Sequence, residues 1–266
     1  MTIPQAPHSV ITGAGGGFGR ALALELAGRG SRLTISDVKL EAVEETAQLA
    51  ESAGAKGVRA VRCDVTKIEE VEALAAAAER PIDLLVNNAG VSSAGRIGEA
   101  PIKDWRWTID VDLFGVIHGC HVFVPMLRAQ GHGHVLNVAS AAGLLAAPHM
   151  GAYNVAKAGV VALSETLSGE LIGSGVGVTV LCPTFFQTDI ARSGRFTDDK
   201  TRARAEELVA KGKTADTIAR YALAACASDD LYAIPMADGR WAWRLKRVAP
   251  TAFRTLAGRI AKRMFA

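Results

Sequence analysis

A strand, a glycine-rich turn and a helix open the chain, and that order limits the fold more than any other feature. HSVIT (8–12) is short and apolar, GAGGGFG follows, and RALALELAGRG carries helical spacing. A buried strand that feeds straight into a helix is the first half of a βαβ unit, which returns the chain as a parallel neighbour. Gly13, Gly17 and Gly19 have separate uses in such a turn. One permits the tight bend, one lets the backbone approach a pyrophosphate, and one lets helix and strand pack closely. Phosphate is then held by the free N–H groups at the helix start.

The alternation continues. RLTIS is a second strand ending at Asp37, eighteen residues after Gly19. An acid about 20 residues past the glycines holds a ribose diol; the same Asp37 is also placed to cap the helix KLEAVEETAQLAESAG. GVRAVRC is a third strand, followed by Asp64, Val65 and Thr66, and IEEVEALAAAAER is a helix. IDLLVNNAG is a fourth strand with its loop. Its Asn87, Asn88, Ala89 and Gly90 suit either an irregular backbone beside a ligand or a purely structural turn. KDWRWTIDVDLFGVIHGCHVFVPMLRA is a long helix, GHVLNVAS a fifth strand, VGVTVLCP a sixth, TADTIARYALAACAS a helix capped by Thr214, and LYAIP the last strand. Strands alternating with helices predict an α/β fold: a single-domain, doubly wound parallel sheet of about seven strands with helices on both faces. Residues 1–239 form the predicted catalytic domain, with a polar, weakly periodic substrate flap at 184–213. Residues 240–266 form a basic amphipathic extension.

Composition narrows the function classes. The 266 residues are 49% hydrophobic and 6% aromatic, which suits a large aliphatic core. Four cysteines (Cys63, Cys120, Cys182, Cys226) lie far apart, without metal-like or redox-like spacing, and read as reduced thiols of a cytoplasmic protein. MTIPQAPHSVITG lacks a signal-peptide pattern, and no uninterrupted apolar run reaches the ~18 residues of a membrane span. The net charge of +3 hides an asymmetry: eight basic and no acidic residues follow from Arg240, while the remainder holds 22 basic and 27 acidic. A mildly acidic body argues against nucleic-acid binding. His118 and His121, with His132 and His134, have no acidic or thiol partners at ligand spacing, so no metal is expected.

Chemistry concentrates in SAAGLLAAPHMGAYNVAK (140–157). Ser140 ends the fifth strand, where open α/β sheets place ligands. Tyr153 and Lys157, at i and i+4, share one helix face. An ammonium beside a phenol favours the phenolate, so a group whose free pKa is ~10 is expected to exchange its proton nearer neutrality. A Tyr and a Lys four apart also occur on many helices with no chemistry at all.

Taken together, TGAGGGFG (12–19), Asp37, CDV (63–65), NNAG (87–90), Ser140, YNVAK (153–157) and CPTFFQT (182–188) resemble the short-chain dehydrogenases/reductases, a Rossmann-fold family of NAD(P)-dependent oxidoreductases. The resemblance covers residues 8 to about 190. It implies that Ser140 bonds the substrate oxygen, that Tyr153 is the general acid/base, and that Lys157 lowers the phenol pKa and holds the nicotinamide ribose. It places Phe18 in the cofactor turn, Asp64 and Val65 at the adenine, Asn88, Ala89 and Gly90 along the cofactor, and Pro183 and Thr188 near the carboxamide. It also implies homodimers or homotetramers, built through the Tyr153 helix and the long helix before it. Two positions depart from the family. Asp112 stands in DLFG where an Asn is usual, in a proton-relay position, and Thr184 stands where a Gly usually follows the Pro.

Leu144, Leu145, Pro148, His149, Phe185 and Phe186 flank the catalytic stretch and are expected to line an apolar substrate pocket. Trp105 and Trp107 are expected to pack or to support a subunit interface. In the tail, Phe253, Leu256, Ile260 and Met264 draw an apolar stripe, with Arg254, Arg259, Lys262 and Arg263 largely off it and Trp241 and Trp243 ahead of it. That pattern suits peripheral membrane contact, docking on a neighbouring subunit, or packing on its own subunit. The expected function is hydride transfer between a nicotinamide cofactor, NAD before NADP, and a hydroxyl or carbonyl carbon of a fairly apolar small molecule. The alternatives are an acyl-chain ketone or aldehyde reductase near membranes, and a non-catalytic dinucleotide-binding regulator.

Overall fold

The computed structural model describes residues 3–265. The chain runs β1 (Ser9–Thr12), α1 (Gly17–Ala27), β2 (Arg32–Asp37), α2 (Leu40–Ser52), β3 (Gly57–Arg62), α3 (Ile68–Ala77), β4 (Leu84–Asn87) and β5 (Ser93–Ala94). A long helix follows: α4 (Ile102–Ile109), a π-helical turn (Asp110–Phe114) and α5 (Gly115–Gln130). Then come β6 (Gly133–Val138), α6 (Ala141–Leu145), α7 (Gly151–Glu170), β7 (Val176–Leu181), β8 (Arg195–Phe196), α8 (Asp199–Ala210), α9 (Ala215–Ala227), β9 (Tyr232–Ala233), α10 (Ala237–Val248) and α11 (Pro250–Phe265).

Seven strands form one parallel sheet in the order β3-β2-β1-β4-β6-β7-β9. β1 sits between β2 and β4, with Ile11 opposite both Ile35 and Val86. The winding reverses there, and open α/β sheets bind ligands in the crevice that such a reversal leaves at the strands' carboxyl ends. The two-residue period of a strand sends neighbouring side chains to opposite faces. Val10 therefore packs with Val71, Leu74, Phe123, Leu127 and Val160 on the α3–α5–α7 side. Ile11 packs with Leu22, Leu26, Val43, Ile218 and Leu223 on the α1–α2–α9 side. Burial on both faces is why the central strands read as continuous apolar runs.

Three regions differ from the sequence expectations. The segment 184–213 is not irregular throughout: it contains β8, which pairs with β5, and α8, whose N-cap Asp198 accepts a hydrogen bond from Thr201 N. Its many charges hid the helix, since α8 buries only Thr201 and Val209. The long helix Ile102–Gln130 has 29 residues and a mean hydropathy of 1.3 in its best window, enough by length and composition to span a bilayer. Asp110, Asp112 and scattered His and Gly interrupt its apolar residues, so no continuous apolar run of that length shows in the sequence. Val116, Phe123, Val124 and Leu127 of this helix lie in the core. In α11 the apolar stripe does not pack as a whole on its own subunit. Phe253 and Ala257 are half-buried and Ala261 is buried, whereas Leu256 and Ile260 are about half exposed. The side chains of Arg263 and Met264 lie outside the described residues.

Candidate active site

A cleft of about 690 Å³ runs along the carboxyl edge of the sheet. Its lining joins the glycine turn, the ends of β2 and β3, the loop after β4, Ser140, Tyr153, Lys157 and the segment after β7.

The glycine turn is held by hydrogen bonds within the chain. Gly13 has φ +67°, and a Cβ there would lie 2.6 Å from Ala89 Cα, so neither conformation nor space admits a larger residue. Asn88 Nδ2 donates to the carbonyls of Thr12 (2.8 Å) and Gly13 (2.9 Å). Thr12 Oγ1 accepts from the backbone N–H groups of Asn88 and Ala89. Asn88 thus stitches the end of β4 to the turn while also lining the cleft, which joins the two readings of NNAG. Thr12 was missed as a brace, because a Thr at a strand end gives no signal without its partner across the sheet.

Asp37 is not the N-cap of α2; Lys39 occupies that position, without a side-chain cap. Asp37 Oδ2 instead accepts from Gly15 N (3.0 Å) and Oδ1 from Lys39 N (3.1 Å), placing the carboxylate on the cleft wall beside the glycines. Arg20, which follows the turn, is engaged with Glu45, Thr46 and the Gly15 carbonyl, while Lys39 lines the cleft. Asp64 Oδ1 accepts from Thr66, and Val65 packs against Gly115; both line the cleft. Thr188 stands over Gly17, and Phe18 meets Phe186 edge-on at 5.5 Å. Pro183 accepts Ala141 N–H at its carbonyl and, like Thr184, lines the cleft.

The four catalytic candidates converge from three elements. Ser140 caps α6, its Oγ accepting from Ala142 N (3.1 Å) and donating to the Pro183 carbonyl (3.4 Å). Tyr153 and Lys157 project from α7. Lys157 Nζ donates to the Val138 carbonyl (3.1 Å), lies 3.8 Å from Asp112 Oδ2, and sits 5.6 Å from the Tyr153 ring centroid. Asp112 belongs to the π turn. Single π turns inside α-helices are frequent at functional sites, and here Asp112 is fully buried, with Oδ1 accepting from Val91 N (2.7 Å).

The electrostatics revise one expectation. Burial, and then the Asp112 charge, raise the Tyr153 phenol above its ordinary range, while its hydrogen bond with Ser140 lowers it. The lowering anticipated from Lys157 does not prevail, because burial of the phenol dominates and the Asp112 charge adds to it. Burial lifts Asp112 itself to about 6, opposed first by Lys157 and then by the Val91 N–H.

Not every expected pocket residue reaches the cleft. Phe185 and Phe186 line it; Leu144, Leu145, Pro148 and His149 do not. Leu144 and Leu145 belong to the core, because the short α6 turns its apolar side inward. Trp107 was expected to pack or to meet another subunit. It packs against the Arg195 guanidinium, stacked 3.9 Å from its ring, and lines the cleft, where Val111, Ile190 and Val209 complete the apolar wall. Helical periodicity alone does not tell which side of the long helix meets a cavity. Among the described residues no cluster of His, Cys, Asp and Glu could hold a metal.

The family model described as short chain dehydrogenase matches residues 7–199. The chain is 34% identical over 231 residues to the CLA biosynthesis dehydrogenase/reductase of Lactiplantibacillus plantarum, covering 79% of this chain and 80% of that one. It is 32% identical over 209 residues to the D-beta-hydroxybutyrate dehydrogenase of Rhizobium meliloti (strain 1021), covering 76% and 80%. Its fold superposes on a short-chain dehydrogenase/reductase from Burkholderia phymatum in complex with NAD, with a TM-score of 0.87 at 36% identity over 92% of this chain and 95% of the other.

Proposed function

The chain belongs to the short-chain dehydrogenase family, and on that premise we propose that it oxidises or reduces a fairly apolar alcohol or ketone with Tyr153 as general acid/base. The family membership and the NAD-bound relative make it an NAD(P)-dependent oxidoreductase acting on CH–OH groups. The observation that carries the residue assignment is the convergence of Ser140, Tyr153 and Lys157 on a cleft that also contains the glycine turn. When bound, the nicotinamide supplies or accepts the hydride. The chain's own groups do the rest. Ser140 holds the substrate oxygen, Tyr153 takes the hydroxyl proton in oxidation and returns it in reduction, and Lys157 orients the cofactor ribose. Trp107, Val111, Phe185 and Ile190 favour an apolar substrate and exclude water. Asp37 favours the 2′-hydroxyl of NAD over the 2′-phosphate of NADP, and Arg20 is already held by Glu45, Thr46 and the Gly15 carbonyl.

The test pairs NADH and NADPH binding, followed by fluorescence, with turnover on a panel of secondary alcohols that includes 3-hydroxybutyrate and hydroxy fatty acids. NADH should bind more tightly than NADPH, and at least one alcohol should turn over. Tyr153→Phe should cut turnover on the order of 10³-fold with little change in NADH affinity. A Phe variant with near-normal rates removes Tyr153 from its role.

The protein is further read as a cytoplasmic homodimer or homotetramer. Four buried free thiols support the compartment, and exposed Phe114 and Val155, on the long helix and α7, support the interface. A second reading places the tail on anionic membranes, close to long-chain substrates. Its support is the exposed series Trp241, Leu245 and Val248 on α10, with Leu256 and Ile260 on α11, among Arg244, Arg247, Arg254, Arg259 and Lys262. Co-sedimentation of the full chain with phosphatidylserine vesicles at low salt, lost on truncation after Gly239, is the expected result; equal behaviour of folded full-length and truncated chains removes the membrane.

A further inference from the structure

Asp112 is a charge placed where the acid/base pair is most sensitive to one. Its side chain is fully excluded from solvent. Oδ1 is held by the Val91 N–H at 2.7 Å, while Oδ2, 3.8 Å from Lys157 Nζ, is buried without a hydrogen-bond partner. A Cβ built on Gly90 would lie 3.1 Å from Asp112 Oδ1 and 3.4 Å from Lys157 Nζ, so the ion pair occupies a tight compartment behind the cleft. Lys157 is itself buried and spends one N–H on the Val138 carbonyl. Asp112 and Lys157 are both buried, and Lys157 shares a face of α7 with the phenol, so solvent screens these charges weakly.

We propose that Asp112 is a positioning residue that neutralises Lys157 and thereby sets the pH at which Tyr153 can accept the substrate proton, holding the oxidation reaction to higher pH than a neutral residue would. This rests on the reading of Tyr153 as the acid/base. The physical ground is a charge count. With Asp112 ionised, the Lys157–Asp112 pair is neutral and gives the phenolate little support; with a neutral residue the compartment carries +1 and favours it. The sign agrees with the phenol's upward shift, to which Asp112 contributes after burial.

The other titratable groups on the elements packed around Asp112 do not substitute for it. Asp104 of α4 is tied to Arg195 at 2.9 Å on the outside. His118 of α5 bonds the Val65 carbonyl through Nδ1 at 2.8 Å. Asp110, in the same π turn, is exposed. Beyond β7, the Cys182 thiol is pushed up to about 12 by burial and stays neutral. Glu165 of α7 faces outward to the Tyr232 hydroxyl. Asp37, Lys39, Asp64 and Asp189 line other stretches of the cleft. Asp112 with a value of about 6 is ionised through the neutral and alkaline range and takes up its proton as the pH falls through that value. The wild-type rate profile therefore carries an inflection near there that a neutral residue removes.

Asp112→Asn keeps an oxygen for the Val91 N–H and deletes the charge. The experiment follows kcat for oxidation against pH, with saturating NAD and the alcohol from the panel with the highest wild-type turnover. The phenolate absorbance of wild type and variant is titrated in parallel, each referred to its Tyr153→Phe counterpart. The rising limb should move down by about one pH unit or more, from charges a few ångströms apart at an effective dielectric near 20. The rate near neutrality should rise accordingly, by about tenfold where proton transfer limits it. A limb that stays in place or moves up overturns the proposal. A merely structural role would change thermal stability or KM and leave the limb where it was. Should the Asn variant not fold, Asp112→Ser is neutral and smaller and reads the same limb. An active Tyr153→Phe would sink the acid/base reading itself, a result separate from an unmoved limb in Asp112→Asn.

Discussion

The glycine turn and the catalytic corner sit at the same edge of one sheet, yet they treat buried polarity in opposite ways. In the turn the groups bond one another: Asn88 serves two carbonyls, Thr12 serves two N–H groups, and Asp37 takes Gly15 and Lys39. In the corner a carboxylate oxygen is buried without a hydrogen bond, a Lys is buried beside it, and a phenol is driven above its ordinary range. A site that holds a rigid ligand gains from a backbone fully braced before the ligand arrives. A site that moves a proton gains from groups whose charge states are close in energy, and burial near other charges produces that.

Three substitutions would break or sharpen that contrast. The largest effect is expected from Lys157→Met, which leaves Asp112 as a lone buried carboxyl. Turnover should fall on the order of 10³-fold, and at neutral pH the fold should lose about 3–5 kcal/mol. The pH dependence has a definite sign. The folded-state value of Asp112, about 6, lies above its ordinary 3.8, so its contribution to stability is fully present at low pH and lost as pH rises through about 6. Without the ammonium that value climbs further. Thermal melts should therefore show a penalty that is large at neutral and alkaline pH and shrinks in acid. A penalty independent of pH would mean that Lys157 is mere packing.

Asn88→Ala should be smaller and of another kind. It removes the amide that bonds two carbonyls, at about 1–3 kcal/mol, and loosens the turn, so NADH affinity falls about tenfold while the alkaline limb of the rate profile stays in place. Calorimetry with NADH titration separates these; a shifted limb would show that the two regions are electrically coupled. The smallest effect is expected from Asp37→Ser. The ratio of NAD to NADP efficiency should fall by about tenfold, close to 1.4 kcal/mol, with stability little changed.

Much of this architecture is legible in one dimension. The βαβ rhythm, the glycine turn, the acid ending β2 and the Tyr153–Lys157 spacing are local patterns, and local patterns report the steric and hydrogen-bonding needs of single elements. Asp112 is visible too, as a departure inside DLFG. What it does is not visible, because the ammonium that faces it comes from 45 positions later in the chain. The same holds for Trp107, whose place on the cleft wall follows from the winding of the long helix. Leu144 and Leu145 flank Ser140 in sequence, and the turn of α6 sends them to the core instead of the pocket.

The sequence by itself determined the fold class and the cofactor family and pointed to the proposed acid/base pair, because each rests on residues close together along the chain. Only the tertiary structure decided how those residues are charged. Burial and opposing charge are properties of packed neighbours: they place the phenol high, lift Asp112 to about 6 and set it against Lys157. An ionisable group takes its pKa from the dielectric and the charges around it, and the fold assembles both from distant parts of the chain.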